Sequence, residues 1–347
     1  MTPYLSDKIK VISLIAITMV IYIHTYYTEG EKYALFLSLQ EFLGGVGLSG
    51  IANPLFYFTS GYLFFISIKT IKDCFPKIKK RIRTLFIPYV LANTIAFIMY
   101  VMLDTISRTM PSLYNVVNFH ILDWFSFDIG NILYRIYWKP VAFQLWFVRD
   151  MLIFVFSTPF VFPILKFVTK KKWSTIMTIG LLLFIYFITC KQVLWMAIGG
   201  LVSMSNIIDI SSFKVTRTRN VVMYICGIIF LCFVLANIFG KIKTGYGYAL
   251  FGVISFWILY DKIVKGKILC NNNTLSQACS YSFFIYLIHE PTLLIFKKLP
   301  LVVCQNETML ILYFMTIPII FVTTTIFVGS VLRKHFPKAF LIYTGGR

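Results

Sequence analysis

Long apolar stretches, separated by short polar ones, follow one another along the whole chain. Those that approach membrane-spanning length lie near 9–28, 46–68, 85–103, 142–168, 174–190, 192–211, 220–240, 245–261, 275–297 and 308–332. A hydrocarbon layer about 30 Å thick is crossed by a helix of about 20 apolar residues. The pattern therefore predicts an all-α polytopic membrane protein with about ten transmembrane helices, in which residues 1–347 form a single integral membrane domain.

The amino-acid composition favours a membrane protein over a soluble one. Of the 347 residues, 59% are hydrophobic, 18% are aromatic and only 13% are charged. A soluble fold of this size has too little interior to bury so much apolar surface. The same balance excludes a disordered chain, a small disulfide-rich domain and a coiled coil. The seven cysteines are scattered and follow no metal-binding spacing, so we interpret them as reduced.

The distribution of charge predicts the orientation in the membrane. A formal net charge of +20 would suggest nucleic acid binding in a soluble protein, but here the basic residues flank apolar stretches, and we predict no nucleic acid partner. Most of them fall on the inside if the N-terminus is cytoplasmic. The outside segments then hold most acidic residues, among them Glu29, Glu31, Asp104, Asp123, Asp128 and Glu307. The positive-inside bias thus predicts that both termini are cytoplasmic.

Ionisable residues at membrane depth are informative because they are costly there unless they are paired or face a wet cavity. His24 lies about fourteen residues, or roughly 21 Å of helix, beyond Lys10 and therefore in the outer half of the first helix. An imidazole at this depth can accept a proton from a hydroxyl as a general base. A buried structural histidine bonded to a neighbouring Tyr or Thr explains the position equally well.

A second polar group lies in the run QLWFVRD of the fourth apolar stretch. Trp146 precedes Arg149 and Asp150 by three and four residues, so the three side chains share one face of a helix. The charged residues can form an internal ion pair. Alternatively, they can hold a polar ligand such as a sugar while Trp146 stacks on it.

A polar stripe follows the ninth apolar stretch, YSFFIYLIHEP. Ser282, Tyr286, His289 and Glu290 recur at the spacing of one helix face. Four polar groups on one stripe are unfavourable against lipid. They can line a cavity opposite His24 or form a helix–helix contact.

A basic cluster precedes the third apolar stretch. Lys80, Arg81 and Arg83 can bind the phosphates of a nucleotide-containing donor, because arginine offers paired hydrogen bonds to them. Orientation in the membrane and contact with anionic lipids explain such clusters as well.

Other patterns predict little chemistry. Gly45, Gly47 and Gly50 match a dinucleotide-binding spacing, but no strand precedes them. His120 and Asp123 are not completed to a metal site, and we predict no metal. The long outer loop near 104–141 is rich in aromatic residues, as an interfacial segment that caps a site would be.

Five of these segments occur in an order that resembles a known family. MVIYIHTYY, NPLFYFTSGYLFF, KKRIRTLFIPYVL, QLWFVRD and SFFIYLIHEP are similar to successive landmarks of the acyltransferase family 3 integral membrane O-acyltransferases. The resemblance covers about residues 8–298. It implies ten helices with cytoplasmic ends, in a multi-pass protein of a bacterial-type inner membrane.

The resemblance also implies a reaction. In that family an acyl group, commonly acetyl from acetyl-CoA, is transferred to a hydroxyl of an envelope glycan or a similar acceptor. The essential histidine of the family matches His24, and its basic pair matches Lys80, Arg81 and Arg83 loosely. The chain departs from the family pattern eleven residues before the histidine, where Ser13 stands in place of an arginine.

The resulting hypothesis is a membrane O-acyltransferase with acyl-CoA as donor and an envelope saccharide as acceptor. Lys80, Arg81 and Arg83 would hold the donor and His24 would act as base or as acyl relay. The acceptor would be surrounded by Trp146, Arg149, Asp150, Ser282, Tyr286 and His289, with Tyr286 and His289 as possible donors to the oxyanion. The competing hypothesis is a polysaccharide export or flippase-like component with the same fold.

Overall fold

The computed structural model describes residues 1–27, 33–45, 47–109, 121, 129–205, 207, 209–240, 246–298 and 306–346. All regular elements within these ranges are helical, with no strand. The helices are α1 (Pro3–His24), α2 (Ala34–Leu43), α3 (Ala52–Phe65), α4 (Cys74–Arg81), α5 (Ile87–Thr109), α6 (Ile129–Leu133), α7 (Trp146–Val168), α8 (Lys172–Thr189), α9 (Leu194–Met204), α10 (Arg217–Phe239), α11 (Ala249–Val264), α12 (Asn273–Ser280), α13 (Ser282–Lys298), α14 (Glu307–His335) and α15 (Pro337–Thr344).

Short helical turns join several of these helices. Two are π-helical, at Ile82–Phe86 and Tyr134–Trp138, and five are 3-10 turns, at Leu48–Ile51, Ile71–Asp73, Phe143–Leu145, Tyr246–Tyr248 and Leu269–Asn271. Much of the predicted outer loop lies outside the described residues. Among the residues singled out above, Glu29, Glu31, His120, Asp123 and Asp128 lie outside them as well.

Six helical segments of the described chain are long and apolar enough to cross a membrane. They are Ala34–Phe65, Ile71–Thr109, Phe143–Val168, Lys172–Thr189, Arg217–Phe239 and Glu307–His335. These six correspond to six of the ten predicted spans, and the protein is therefore an all-helical, multi-pass membrane protein. Of the other four, α1 carries Asp7, Lys8 and Lys10 near its start, while α9, α11 and α13 are each shorter than 18 residues.

Proline determines where one of these helices is interrupted. Glu290, in the middle of α13, has φ −112° and ψ 130°, which are values of extended backbone. Pro291 follows it, and a proline ring disfavours the helical conformation of the preceding residue. The break leaves His289 as the last residue of a regular helical segment that begins at Ser282.

The helix α1 runs through the interior of the protein. Thr2 caps its start by accepting a hydrogen bond from the Leu5 amide at 3.2 Å. The helix packs against α3, α13 and α14, and its buried residues include Leu5, Lys8 and Ile12. His24 therefore ends a helix that is held by neighbours along its length.

Close packing of α3 and α9 depends on glycine. A Cβ atom on Gly61 would lie 2.1 Å from the Met196 carbonyl oxygen, and one on Gly199 would lie 2.2 Å from the Phe58 carbonyl oxygen. Small residues allow two backbones to approach in this way, which is the usual means of helix association in membranes. The contact fixes α3, which forms part of the cavity described below.

A buried ion cluster ties the start of α1 to α10 and α11. The Lys8 ammonium lies 2.8 Å from Asp261 Oδ1, and both side chains are fully buried. Arg219 donates to Asp261 Oδ2 at 2.7 Å, and the Tyr4 hydroxyl donates to Oδ1 at 2.6 Å. Lys8 also donates to the Trp257 carbonyl at 2.9 Å. Each buried charge thus has an opposite charge and hydrogen bonds, as burial requires.

Candidate active site

His24 lies among aromatic rings at the C-terminal end of α1. Its ring centroid is 5.0 Å from that of Phe143 and 5.2 Å from that of His289. The His24 side chain is partly exposed, and neither imidazole nitrogen hydrogen-bonds to a described residue. The imidazole is therefore available to a reactant. Phe143 was not expected from the sequence, because a single aromatic residue in a short turn has no spacing that marks it as part of a site.

His289 is fully buried beside His24. Its Nδ1 atom lies 2.7 Å from the Tyr286 carbonyl oxygen. A carbonyl only accepts, so in the neutral ring the proton is on Nδ1 and Nε2 carries a lone pair. Among the described residues Nε2 has no hydrogen-bond partner.

Tyr286 lies one helical turn before His289. Its hydroxyl donates to the Gln144 carbonyl oxygen at 2.6 Å, and its ring is 5.7 Å from the His289 ring. The hydroxyl of Ser282, a further turn back, donates to the Cys279 carbonyl at 2.8 Å. The polar stripe predicted on this helix thus faces the protein interior, with both hydroxyl protons engaged by backbone oxygens.

A cavity of about 510 Å³ runs beside the N-terminal half of α1. Its wall contains basic side chains, hydroxyl groups and aromatic rings. The wall is formed by Ile9, Lys10, Ser13, Phe56, Thr59, Ser60, Leu63, Lys80, Arg81, Thr84, Phe147, Met151, Cys279, Ser280, Ser282, Phe283, Tyr286, Gly345 and Gly346. Its size falls within the range of small-molecule sites.

The cavity does not extend to His24. Tyr286 belongs to its wall, whereas His24 and His289 do not. Tyr286 therefore borders the cavity and also neighbours His289, with 5.7 Å between the two ring centroids.

Among the described residues, the cavity wall contains three cations and no carboxylate. Lys10, Lys80 and Arg81 line it, and none of them forms an ion pair with a described residue. An uncompensated group of cations attracts anions. Lys10 was missed because the sequence marked it only as an inside charge; its spacing of three residues from Ser13, which faces the same cavity, is the signal that was available.

Arg83 lies elsewhere. It is exposed and does not line the cavity. Lys80 and Thr84 are four residues apart and share a helix face, whereas Arg83 stands two residues after Arg81 on another face. The C-terminal segment closes the same side of the cavity, since a Cβ atom on Gly345 (φ +66°) would lie 2.6 Å from Thr84 backbone atoms.

Of the QLWFVRD run, Phe147 lines the cavity, whereas the predicted acceptor residues Trp146, Arg149 and Asp150 do not. Arg149 forms an ion pair with Asp150 at 2.7 Å and donates to the Trp138 carbonyl at 2.7 Å. Trp146 is partly buried and contacts Phe147 with a ring centroid distance of 6.3 Å. The internal ion pair is thus the arrangement observed. The main-chain atoms of this run still reach the site, since the Gln144 carbonyl holds Tyr286.

The described residues hold no group of three or more His, Cys, Asp or Glu side chains that could bind a metal ion.

The membrane-spanning helices, the basic cavity and the histidine pair together describe an integral membrane protein with a candidate binding site. The family model described as an acyltransferase domain, Acyl_transf_3, matches residues 8–333. The chain therefore belongs to the acyltransferase 3 family, and the predicted resemblance is confirmed. Membership makes the protein a membrane acyltransferase. No curated protein and no solved structure gave a match to the chain.

Proposed function

We propose that the protein transfers an acyl group from acyl-CoA to a hydroxyl of a cell-envelope glycan or its precursor, with acetyl as the first candidate for the acyl group. The observation that carries the proposal is a basic cavity whose wall includes Tyr286, the neighbour of His289, which in turn lies beside His24. A donor with phosphates at one end and a thioester at the other suits a cavity that has cations in its wall and the histidine pair close to one of its wall residues.

The proposed topology is ten membrane crossings with both termini in the cytoplasm of a bacterial-type cell. Lys10, Lys80 and Arg81 then face the cytoplasm, where acyl-CoA is made, and His24 lies toward the outer side. This orientation agrees with the positive-inside bias of the sequence. It gives donor and acceptor separate routes to the imidazole.

Donor binding follows from charge. The phosphates of acyl-CoA would lie at Lys10, Lys80 and Arg81, since arginine and lysine bind phosphate by charge-assisted hydrogen bonds. The remaining arm would follow the Ser and Thr hydroxyls toward Tyr286. A movement of the Tyr286 ring would admit the thioester to His24. Exclusion of water by the Tyr286 ring until then would protect the thioester from hydrolysis.

The chemical step belongs to His24. It would accept the proton of the acceptor hydroxyl as the oxygen attacks the thioester carbonyl, and return the proton to the departing thiolate. The alternative in which His24 first carries the acyl group itself uses the same residue. Arg149 and Asp150 would turn to the saccharide after their internal ion pair had opened, and Trp146, which is not part of that pair, would stack on the sugar.

Both predicted oxyanion donors already use their protons in hydrogen bonds to the backbone. The Tyr286 hydroxyl donates to the Gln144 carbonyl, and the His289 Nδ1 proton is held by the Tyr286 carbonyl. Either group would donate to an oxyanion only after that hydrogen bond had broken. The oxyanion role therefore stays a prediction for a rearranged state.

The test is a deletion strain complemented with His24→Ala, with mass spectrometry of its envelope glycans. We expect an ester group, present with the wild-type gene, to be missing with the variant while polymer still reaches the surface. His335→Ala, at the exposed end of α14, is the matched control and should restore the ester. Loss of polymer export with no ester missing would replace the proposal by the export function.

A further inference from the structure

The histidine pair contains a hydrogen-bond acceptor that the proposed reaction has not used. His289 is fully buried, its Nδ1 proton is fixed on the Tyr286 carbonyl, and its Nε2 atom has no partner among the described residues. Buried polar atoms are almost always hydrogen-bonded, so an unpaired one needs an explanation. His24, whose ring is 5.2 Å away at an interplanar angle of 32°, is the nearby group that can supply a proton.

We infer that His289 is a positioning residue for His24: its Nε2 lone pair accepts the N–H of the His24 imidazole during acyl transfer. The inference rests on the proposed function of His24. No hydrogen bond joins the rings in this state, and catalytic hydrogen bonds are often long in structures without substrate. A rotation of the partly exposed His24 ring brings facing nitrogens to the usual separation of about 3 Å.

The tautomer of His289 determines what this contact does. Because Tyr286 holds the Nδ1 proton, the neutral ring presents only a lone pair to His24. The N–H of His24 therefore points at His289, and the other His24 nitrogen is left unprotonated and free to take a proton from the acceptor hydroxyl. The relation resembles the third member of a catalytic triad, which fixes the tautomer of the base and stabilises its cation.

The acyl transfer step neither gains nor loses a proton overall. The hydroxyl proton moves to the free nitrogen of His24 as the oxygen–carbon bond forms. The carbon–sulfur bond then breaks, and the proton passes from the His24 imidazolium to the thiolate, which leaves as free CoA. His289 keeps its own proton on Nδ1 throughout. Its part is to accept a stronger hydrogen bond while His24 is charged.

Other charges near the pair must be considered in any pH experiment. The positive charge of Lys297 interacts electrostatically with His24 and with Glu290. Asp150, which forms an ion pair with Arg149 on the same helix α7, acts electrostatically on Tyr286. These groups stay unchanged in the variants below, so a difference between variants reports the His24–His289 contact.

The experiment uses inverted membrane vesicles with radiolabelled acetyl-CoA outside and the native acceptor inside. His289→Phe keeps an aromatic ring but removes the acceptor, and His289→Gln supplies an amide oxygen near the position of Nε2. We expect His289→Phe to lower the transfer rate about tenfold or more with an unchanged KM for acetyl-CoA. The acidic limb of its rate profile should move to lower pH, because the His24 cation loses its acceptor. His289→Gln should recover most of the rate.

Two results would overturn the inference. One is a wild-type rate in His289→Phe. The other is a lower rate in both variants with no movement of the acidic limb, which would indicate a packing role. His24→Ala separates the two claims. If this variant still transfers the acyl group at the wild-type rate, the proposed function is wrong as well. If His24→Ala is inactive but the His289 variants keep the wild-type rate, only the positioning role of His289 is wrong.

Discussion

The ammonium group of Lys8 lies 2.8 Å from the carboxylate of Asp261, and neither side chain is exposed. The contact joins the start of α1 to α11, and Arg219 of α10 reaches the other oxygen of the same carboxylate. Asp261 thus forms ion pairs with two cations at once. It also fixes the depth of α1, on which the positions of both Lys10 and His24 depend.

We predict unequal effects of breaking this cluster. Asp261→Ala leaves two cations without an acid and should destabilise the fold by about 3–5 kcal/mol, as the loss of one partner of a buried pair does. Lys8→Met leaves Asp261 paired with Arg219 and should be milder. The thermal unfolding of the detergent-solubilised protein measures both. Equal loss in the two variants would contradict the central part given to Asp261.

A second prediction separates the cavity cations from the neighbouring exposed arginine. Lys10→Gln and Arg81→Gln should each raise the KM for acetyl-CoA about tenfold, since a hydrogen bond to a charged group contributes about 1.5–3 kcal/mol and partial exposure reduces it. Arg83→Gln, outside the cavity wall, should have little effect.

The KM values of the three variants can be measured from steady-state rates in vesicles at two salt concentrations. Added salt screens exposed charges, so the KM of the wild-type protein for acetyl-CoA should rise with salt. All three variants should insert normally, as judged from their amount in the membrane. An effect of Arg83→Gln as large as that of Lys10→Gln would move the phosphate site out of the cavity.

A third prediction concerns Tyr286. Tyr286→Phe removes the hydrogen bond to the Gln144 carbonyl, but this carbonyl still accepts from the Trp146 amide, so the variant should lose only about 0.5–1.5 kcal/mol of stability. We expect the transfer rate to fall less than tenfold, because the hydroxyl proton is engaged elsewhere. A loss of about a hundredfold or more, typical of a removed oxyanion donor, would assign that role to Tyr286 instead.

A fourth prediction tests the contact between α3 and α9. Gly199→Ala places a Cβ atom 2.2 Å from the Phe58 carbonyl oxygen, so the backbones must separate. Such overpacking costs about 1–3 kcal/mol. Gly180→Ala is the matched control, because a Cβ atom there meets nothing within 4 Å. A thermal stability for Gly199→Ala equal to that of Gly180→Ala would show that α3 and α9 adapt freely.

Much of the outline of the site followed from the sequence. The helical spacing of Ser282 and Tyr286 predicted a shared face, and both line one cavity together with Lys80 and Arg81. The proximity of His24 and the polar stripe was also among the expectations, and the rings of His24 and His289 are 5.2 Å apart. These relations are local, or follow from one helix face meeting another.

Other features depended on distant segments. The sequence allowed Arg149 to be a sugar ligand, but in the structure its guanidinium donates hydrogen bonds to Asp150 and to the Trp138 carbonyl. Gly345 and Gly346, at the far end of the chain, form part of the wall that contains Lys10. A sequence gives no distance between residues so far apart.

The sequence by itself determined the membrane class, the helical segments and the family, because hydropathy, helical periodicity and ordered motifs are properties of short stretches. The tertiary structure decided which cations share the cavity, that Tyr286 borders both the cavity and His289, and that the Nε2 atom of His289 has no partner among the described residues. Those properties depend on how helices pack side by side, and many lateral arrangements satisfy the same apolar pattern.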